Sequence, residues 1–174
     1  GTILVYEVTR DGHLQEAGQY VGHTSEIKCL DISDDGKLAL SAGARDKSLH
    51  CWKIDDGQPE AMLTGFAEEV VGCRFGNGGR TALGCDGLTV REFNISKQTI
   101  SRQLSLNRQS HISHCVAFSP DGDFVAVSDL YAIQVWNLKD STAMPVLQDN
   151  EIQWTMRFTP DGDRIVSGGS EKVN

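Results

Sequence analysis

A unit of 40 to 46 residues returns along this chain, and that period limits the fold more than any other feature of the sequence. Aromatic residues that end β-like runs recur at Tyr6, Trp52, Phe93 and Trp136. Turn residues recur at Asp35-Gly36, Asn77-Gly78-Gly79, Asp121-Gly122 and Asp161-Gly162. Self-similarity at this spacing belongs to folds of stacked units, each too small to bury its own apolar faces.

Within a unit the apolar residues alternate with period two between turn signals, which predicts strands. The best-formed unit has runs at 26–32, 38–42, 48–54 and 60–64. A second has them at 70–75, 81–85, 88–95 and 99–106, and a third at 113–119, 124–128, 132–138 and 143–147. Runs at 2–8 and 14–21 read as the third and fourth strands of an earlier unit. Runs at 153–159 and 164–167 read as the first two of a later one. Four short strands per period of about 40–45 is the spacing of a propeller blade. The expected fold is all-β: a propeller segment of about four blades of four-stranded antiparallel sheets, incomplete at both ends. The boundaries fall at 1–22, 23–65, 66–108, 109–148 and 149–174. Opening in mid-strand at Gly1, the sequence reads as a piece of something longer.

The net charge of −8 disfavours a phosphate backbone as partner. No run approaches the roughly 18 apolar residues that span a bilayer, so neither nucleic acid nor membrane is expected. Cys29, Cys51, Cys73, Cys85 and Cys115 form no C-x-x-C pair and mostly sit inside apolar runs. They read as free thiols in a reducing compartment, the cytoplasm.

These residues resemble the WD-repeat (tryptophan–aspartate) β-propeller family. Gly22-His23 followed by Ser41, Asp46 and Trp52-Lys53 looks like its full blade signature. Ser119-Pro120-Asp121-Gly122 and Thr159-Pro160-Asp161-Gly162 match its turn after the inner strand, and Trp136-Asn137 stands where the family has Trp-Asp. The resemblance implies that His23, Ser41, Asp46 and Trp52 form a buried hydrogen-bonded tetrad. It also implies a ring closed by missing blades of the parent chain or by a second copy. His23 is replaced by Phe66, Gln109 and Asp149 in the other units, and Trp52 by Phe93 in the second. The other units are therefore expected to lean on apolar packing.

Several constellations look chemical and are better read structurally. Ser41, His23 and Asp46 are hydrolase-triad residue types, but no G-x-S-x-G elbow surrounds the serine. His111-x-x-His114-Cys115 has metal-ligand types, but zinc needs three or four converging ligands and no second cluster exists. Gly76-Asn77-Gly78-Gly79 joins two strands and opens no helix, so it is a hairpin turn and not a phosphate cradle. No cofactor, metal or catalytic set is expected.

The resemblance implies instead that partners dock on the narrow face around the central channel. Carried over position by position, that face holds Glu26, Lys28 and Arg45 in the first complete blade, and Glu69, Val71 and Cys85 in the second. The third supplies Ile112 and His114, and the last Ile152, Trp154 and Ser170. Trp154 stands where the other units have Lys28, Val71 and His114, so the strand pattern does not demand an aromatic there. It is either an interaction hot spot or a residue packed on a neighbouring blade. The leading expectation is a non-catalytic scaffold for a protein or peptide. The alternatives are an accessory targeting domain of a larger enzyme or signalling protein, and a hydrolase or lyase using His114, Glu26 and Glu69 at the channel mouth.

Overall fold

The structure is a computed structural model that describes residues 1–106, 115–129, 132–148 and 152–170. Among the described residues every regular element is a β-strand, and no helix is long and apolar enough to cross a membrane. Strands β1 (Thr2–Val8) and β2 (Leu14–Val21) form an antiparallel pair. Strands β3 (Ile27–Ile32), β4 (Leu38–Gly43), β5 (Ser48–Lys53) and β6 (Pro59–Leu63) form a four-stranded meander. So do β7 (Gly72–Gly76), β8 (Thr81–Cys85), β9 (Thr89–Asn94) and β10 (Thr99–Ser105).

The third blade departs from the expected four strands. Strands β11 (Val116–Phe118), β12 (Phe124–Ser128) and β13 (Ala132–Asn137) follow the pattern. The outer strand is split into β14 (Thr142–Ala143) and β15 (Leu147–Gln148), both paired with β13. Pro145 lies between the halves and has no N–H to give to the ladder. Strands β16 (Ile152–Phe158) and β17 (Ile165–Ser170) close the described chain as a second antiparallel pair.

Three of the inner turns share one local device. The hydroxyls of Ser33, Ser119 and Thr159 each donate to the aspartate two residues on. Asp35, Asp121 and Asp161 in turn accept the backbone N–H two residues further on. Gly36, Gly122 and Gly162 then take φ of 71°, 75° and 79°, where a side chain would be strained. The hydroxyl hydrogen bond holds each aspartate below the usual carboxylate range.

Sheets stack face to face, and every interface between them is an apolar core. Ile3 and Tyr20 of the first pair meet Ala39 and Trp52 of the next sheet. Leu40, Leu49, Cys51 and Leu63 then pack on Phe66, Val70, Phe75 and Phe93. Leu83, Cys85 and Val90 pack on Phe118, Val125, Val127 and Trp136. Ala117, Ala126 and Ile133 pack on Met156. Alternation on each strand is thus read twice, with one set of residues facing the sheet before and the other the sheet after. Close approach is built in: a Cβ on Gly84 would lie 2.5 Å from the Phe66 ring, and one on Gly72 would lie 2.6 Å from Val116 Cβ.

Candidate functional site

His23, Ser41 and Asp46 come together as the sequence implies. His23 Nε2 is 2.8 Å from Ser41 Oγ, and His23 Nδ1 is 2.8 Å from Asp46 Oδ2. This is the connectivity of a catalytic triad, but Ser41 is 0% exposed and no acyl group can reach it. Asp46 Oδ2 also accepts the Thr24 N–H, pinning the loop before β3 to the turn after β4. Burial alone would raise the Asp46 carboxyl; hydrogen bonds from His23, Ser48 and the Thr24 amide outweigh it and hold it lower.

Trp52 corrects the expected tetrad. Its Nε1 is buried without a hydrogen-bond partner, and its ring lies flat against Tyr20. The polar chain runs instead through residues the sequence did not flag. Ser48 Oγ donates to Asp46 Oδ1 at 3.0 Å, His50 Nε2 is 3.0 Å from Ser48 Oγ, and Tyr20 Oη is 2.8 Å from His50 Nδ1. A carboxylate only accepts, so Ser48 spends its proton on Asp46 and must accept from His50 Nε2–H. Nδ1 of a neutral His50 is then the acceptor for the Tyr20 hydroxyl. Burial first, and the charge of stacked His23 second, push His50 down to about 4, which keeps it neutral. Six side chains from three strands and two loops form one chain: Ser41, His23, Asp46, Ser48, His50, Tyr20.

The second blade, expected to lean on apolar packing, also carries a buried polar network of its own. Asp86 is buried and faces Arg91 Nη1 at 3.4 Å. The carboxylate accepts from the backbone N–H of Ala67, Leu88 and Thr89 and from the Thr89 hydroxyl. The Arg91 guanidinium lies 5.1 Å from the centre of the Phe66 ring, and its Nε donates to Gln103. Phe66 takes the place of a histidine, and an arginine takes over its polar duty from a neighbouring strand.

On the narrow face the strand register decides which side chains emerge. Between β3 and β4 the register shifts between Ile27 and Cys29, leaving Lys28 as the extra residue. Between β16 and β17 it shifts between Gln153 and Thr155, leaving Trp154. Just before β7 the Val71 N–H donates to the carbonyl of Cys85, while Cys85 itself stands opposite Gly72. A bulge adds a residue and re-aims its side chain. The three equivalent positions thus project together, and Lys28, Val71 and Trp154 line one cleft of about 350 Å³ with Arg74 and Arg157. Trp154 is 57% exposed among the described residues, and its Nε1 donates to Ser170 Oγ at 3.0 Å.

Other expected positions divide. Glu26 and Arg45 line a separate depression with Thr24 and Ser25, next to the cleft. Glu26 reaches Lys28 Nζ at 3.0 Å; that hydrogen bond and the lysine's charge, helped by Arg45, hold its carboxyl low. Glu69 and Ile152 are half-buried and do not line the cleft. Cys85 is 0% exposed and is removed from the face by its own core. Ile112 and His114, with His111, lie outside the described residues. Among the described residues no three His, Cys, Asp or Glu side chains gather as a metal cluster.

Comparison with known proteins agrees with this architecture. The family model described as "WD domain, G-beta repeat" matches residues 14–53 and 102–137. The solved structure of the C-terminal WD40 domain of Sif2 superposes with a TM-score of 0.75 at 23% identity, covering 98% of this chain and 50% of that one. Kinesin-like protein KIF21B of Mus musculus is 25% identical over 150 residues, 74% of this chain and 9% of the relative. Proteasomal ATPase-associated factor 1 of Bos taurus is 42% identical over 53 residues, 30% of this chain and 13% of the relative. The guanine nucleotide-binding protein subunit beta of Lymnaea stagnalis is 32% identical over 63 residues, 36% of this chain and 18% of the relative. The chain therefore spans less than a fifth of the length of these curated relatives. Two of its stretches match the WD-repeat model, and the described residues have the fold of a β-propeller segment, with three complete blades between two half-sheets.

Proposed function

We propose that this propeller segment is a protein-interaction scaffold that holds a segment of a partner in the cleft formed by Lys28, Val71 and Trp154. The observation that carries this reading is the repeated bulge. Equivalent positions of separate blades send a cation, an aliphatic group and an exposed indole into one concavity. An exposed tryptophan backed by arginine is the composition of a binding hot spot. Lys28 is partly neutralised by Glu26, while among the described lining residues Arg74 and Arg157 are set against a single carboxylate, Asp31. In a chain of net charge −8, that local excess of cation favours an acidic segment with an apolar anchor. Two of the relatives are named for association, one with the proteasomal ATPase and one as a subunit of a larger protein.

A photo-crosslinking amino acid placed at 154 or 28, and separately at the exposed turn residue Lys97, tests the location in the full-length protein. The same partner should be captured from 154 and 28 and not from 97. Capture from 97 alone would move the site to the outer strands. The small share of the kinesin-like relative that the chain covers favours a second reading, an accessory targeting domain for chemistry encoded elsewhere. Under that reading, 154 and 28 crosslink to another part of the same polypeptide. The free cysteines support action in the cytoplasm.

A further inference from the structure

Two thiols meet at the boundary between the first and second complete blades. Cys29 on β3 and Cys73 on β7 have their Sγ atoms 2.8 Å apart, across 44 residues of sequence. That is inside the separation of about 3.5–4.0 Å at which unbonded carbon atoms rest. The stacking of inner strands produces the approach. Cys29 stands opposite Ala42, and Gly72 stands opposite Cys85 at the equivalent place one blade on. Gly72 meets Val116 of β11 as Cys29 meets Cys73, so closely that a Cβ there would overlap. At the first boundary both positions carry sulfur.

The remaining cysteines are placed differently. Cys51 and Cys85 are fully buried in two different cores, and burial pushes the Cys51 thiol up to about 12. Cys115 Sγ lies 3.1 Å from Ser128 Oγ and faces the Gln153 carbonyl. Cys29, Cys73 and Cys115 all line the open cleft, where a small soluble oxidant reaches them, but Cys29 and Cys73 have each other's sulfur within reach whereas Cys115 faces a hydroxyl and a carbonyl.

We propose that Cys29 and Cys73 are a reversible disulfide site that covalently ties the two blades together beneath Lys28 and Val71. A low-molecular-weight disulfide such as oxidised glutathione is the oxidant. Burial, and after it the hydrogen bond from Cys29, raise the Cys73 thiol, so Cys29 attacks first. The Cys29 thiolate attacks one glutathione sulfur, the glutathione S–S bond breaks, and the released thiolate takes up the proton that Cys29 lost. Cys73 sulfur then attacks Cys29 Sγ, and the second glutathione leaves with the proton of Cys73. Two protein thiols lose two electrons, and one glutathione disulfide becomes two thiols.

The test is disulfide mapping of the native full-length protein across a titration with oxidised glutathione, followed by alkylation and trypsin. Cleavage after Lys28, Lys37, Lys53 and Arg74 puts Cys29 on 29–37 and Cys73 on 54–74, apart from Cys51 on 48–53 and Cys85 on 81–91. The expected product is 29–37 joined to 54–74 as the main cross-link, two hydrogens lighter than the sum and reversed by dithiothreitol. In a Cys73→Ser variant the same titration should stop at a stable glutathione adduct on Cys29. A lasting adduct on Cys29 in the unaltered protein, a different dominant cysteine pair, or both thiols remaining open to alkylation would each overturn the proposal.

Discussion

The indole of Trp52 lies flat on the phenol of Tyr20, with ring centroids 5.1 Å apart and planes within 3° of parallel. The residue that ends the third strand of one blade thereby reaches back to the half-sheet before it. Trp52 works as a packing surface, and the polar work of the blade passes to His23, Ser48 and His50.

That division predicts two unequal substitutions. Trp52→Phe keeps the stack and removes a nitrogen that has no partner, so it should cost only about 1 kcal/mol. His23→Ala strips buried Ser41 and Asp46 of their shared partner and should cost about 2–3 kcal/mol. Denaturant unfolding of the two variants, compared at equal m-value, checks the order.

The neutral His50 gives the blade an acid sensitivity with a defined window. Its folded value lies near 4 and its ordinary value at 6.5. Between those values the unfolded chain binds a proton that the folded chain refuses. Stability should therefore fall as pH drops from about 6.5, with no further loss from this site below about 4. His50→Gln should flatten that part of the profile, measured as unfolding midpoint against pH.

Asp86 is expected to matter more than its place in a blade lacking the histidine implies. Asp86→Ala leaves the Arg91 charge buried and orphans the N–H groups of Ala67, Leu88 and Thr89. The loss should be about 3–5 kcal/mol. Asp86→Asn, which still accepts some of those bonds, should cost clearly less in the same denaturant titration.

Strand order, unit period and the turns at Asp35, Asp121 and Asp161 were legible because they rest on local pattern: alternation, a hydroxyl two residues before an aspartate, and a glycine after it. His23, Ser41 and Asp46 were legible as a set through resemblance. The partners of His50 were not, because Tyr20 and His50 lie 30 residues apart and their meeting depends on how two sheets stack. Arg91 escaped notice for the same reason: nothing near it in sequence announces that Phe66 and Asp86 fold around it. On the narrow face, the equivalence of Lys28, Val71 and Trp154 was readable from the repeat. The bulges that aim them were not, since a register shift belongs to a pair of strands. Cys85 shows the opposite error, in which position in the repeat pointed outward while its own apolar neighbours hold it in a core.

The central claim, that partners are held at the cleft, is tested most directly by the affinity of a purified partner for the full-length protein and its Trp154→Ala form. Trp154 is exposed and stands outside the apolar cores, so the variant should fold with an unchanged unfolding midpoint. Loss of a hot spot worth about 2 kcal/mol predicts roughly 30-fold weaker binding. Equal affinity for the two folded forms would contradict the account and place the partner on another surface of the propeller.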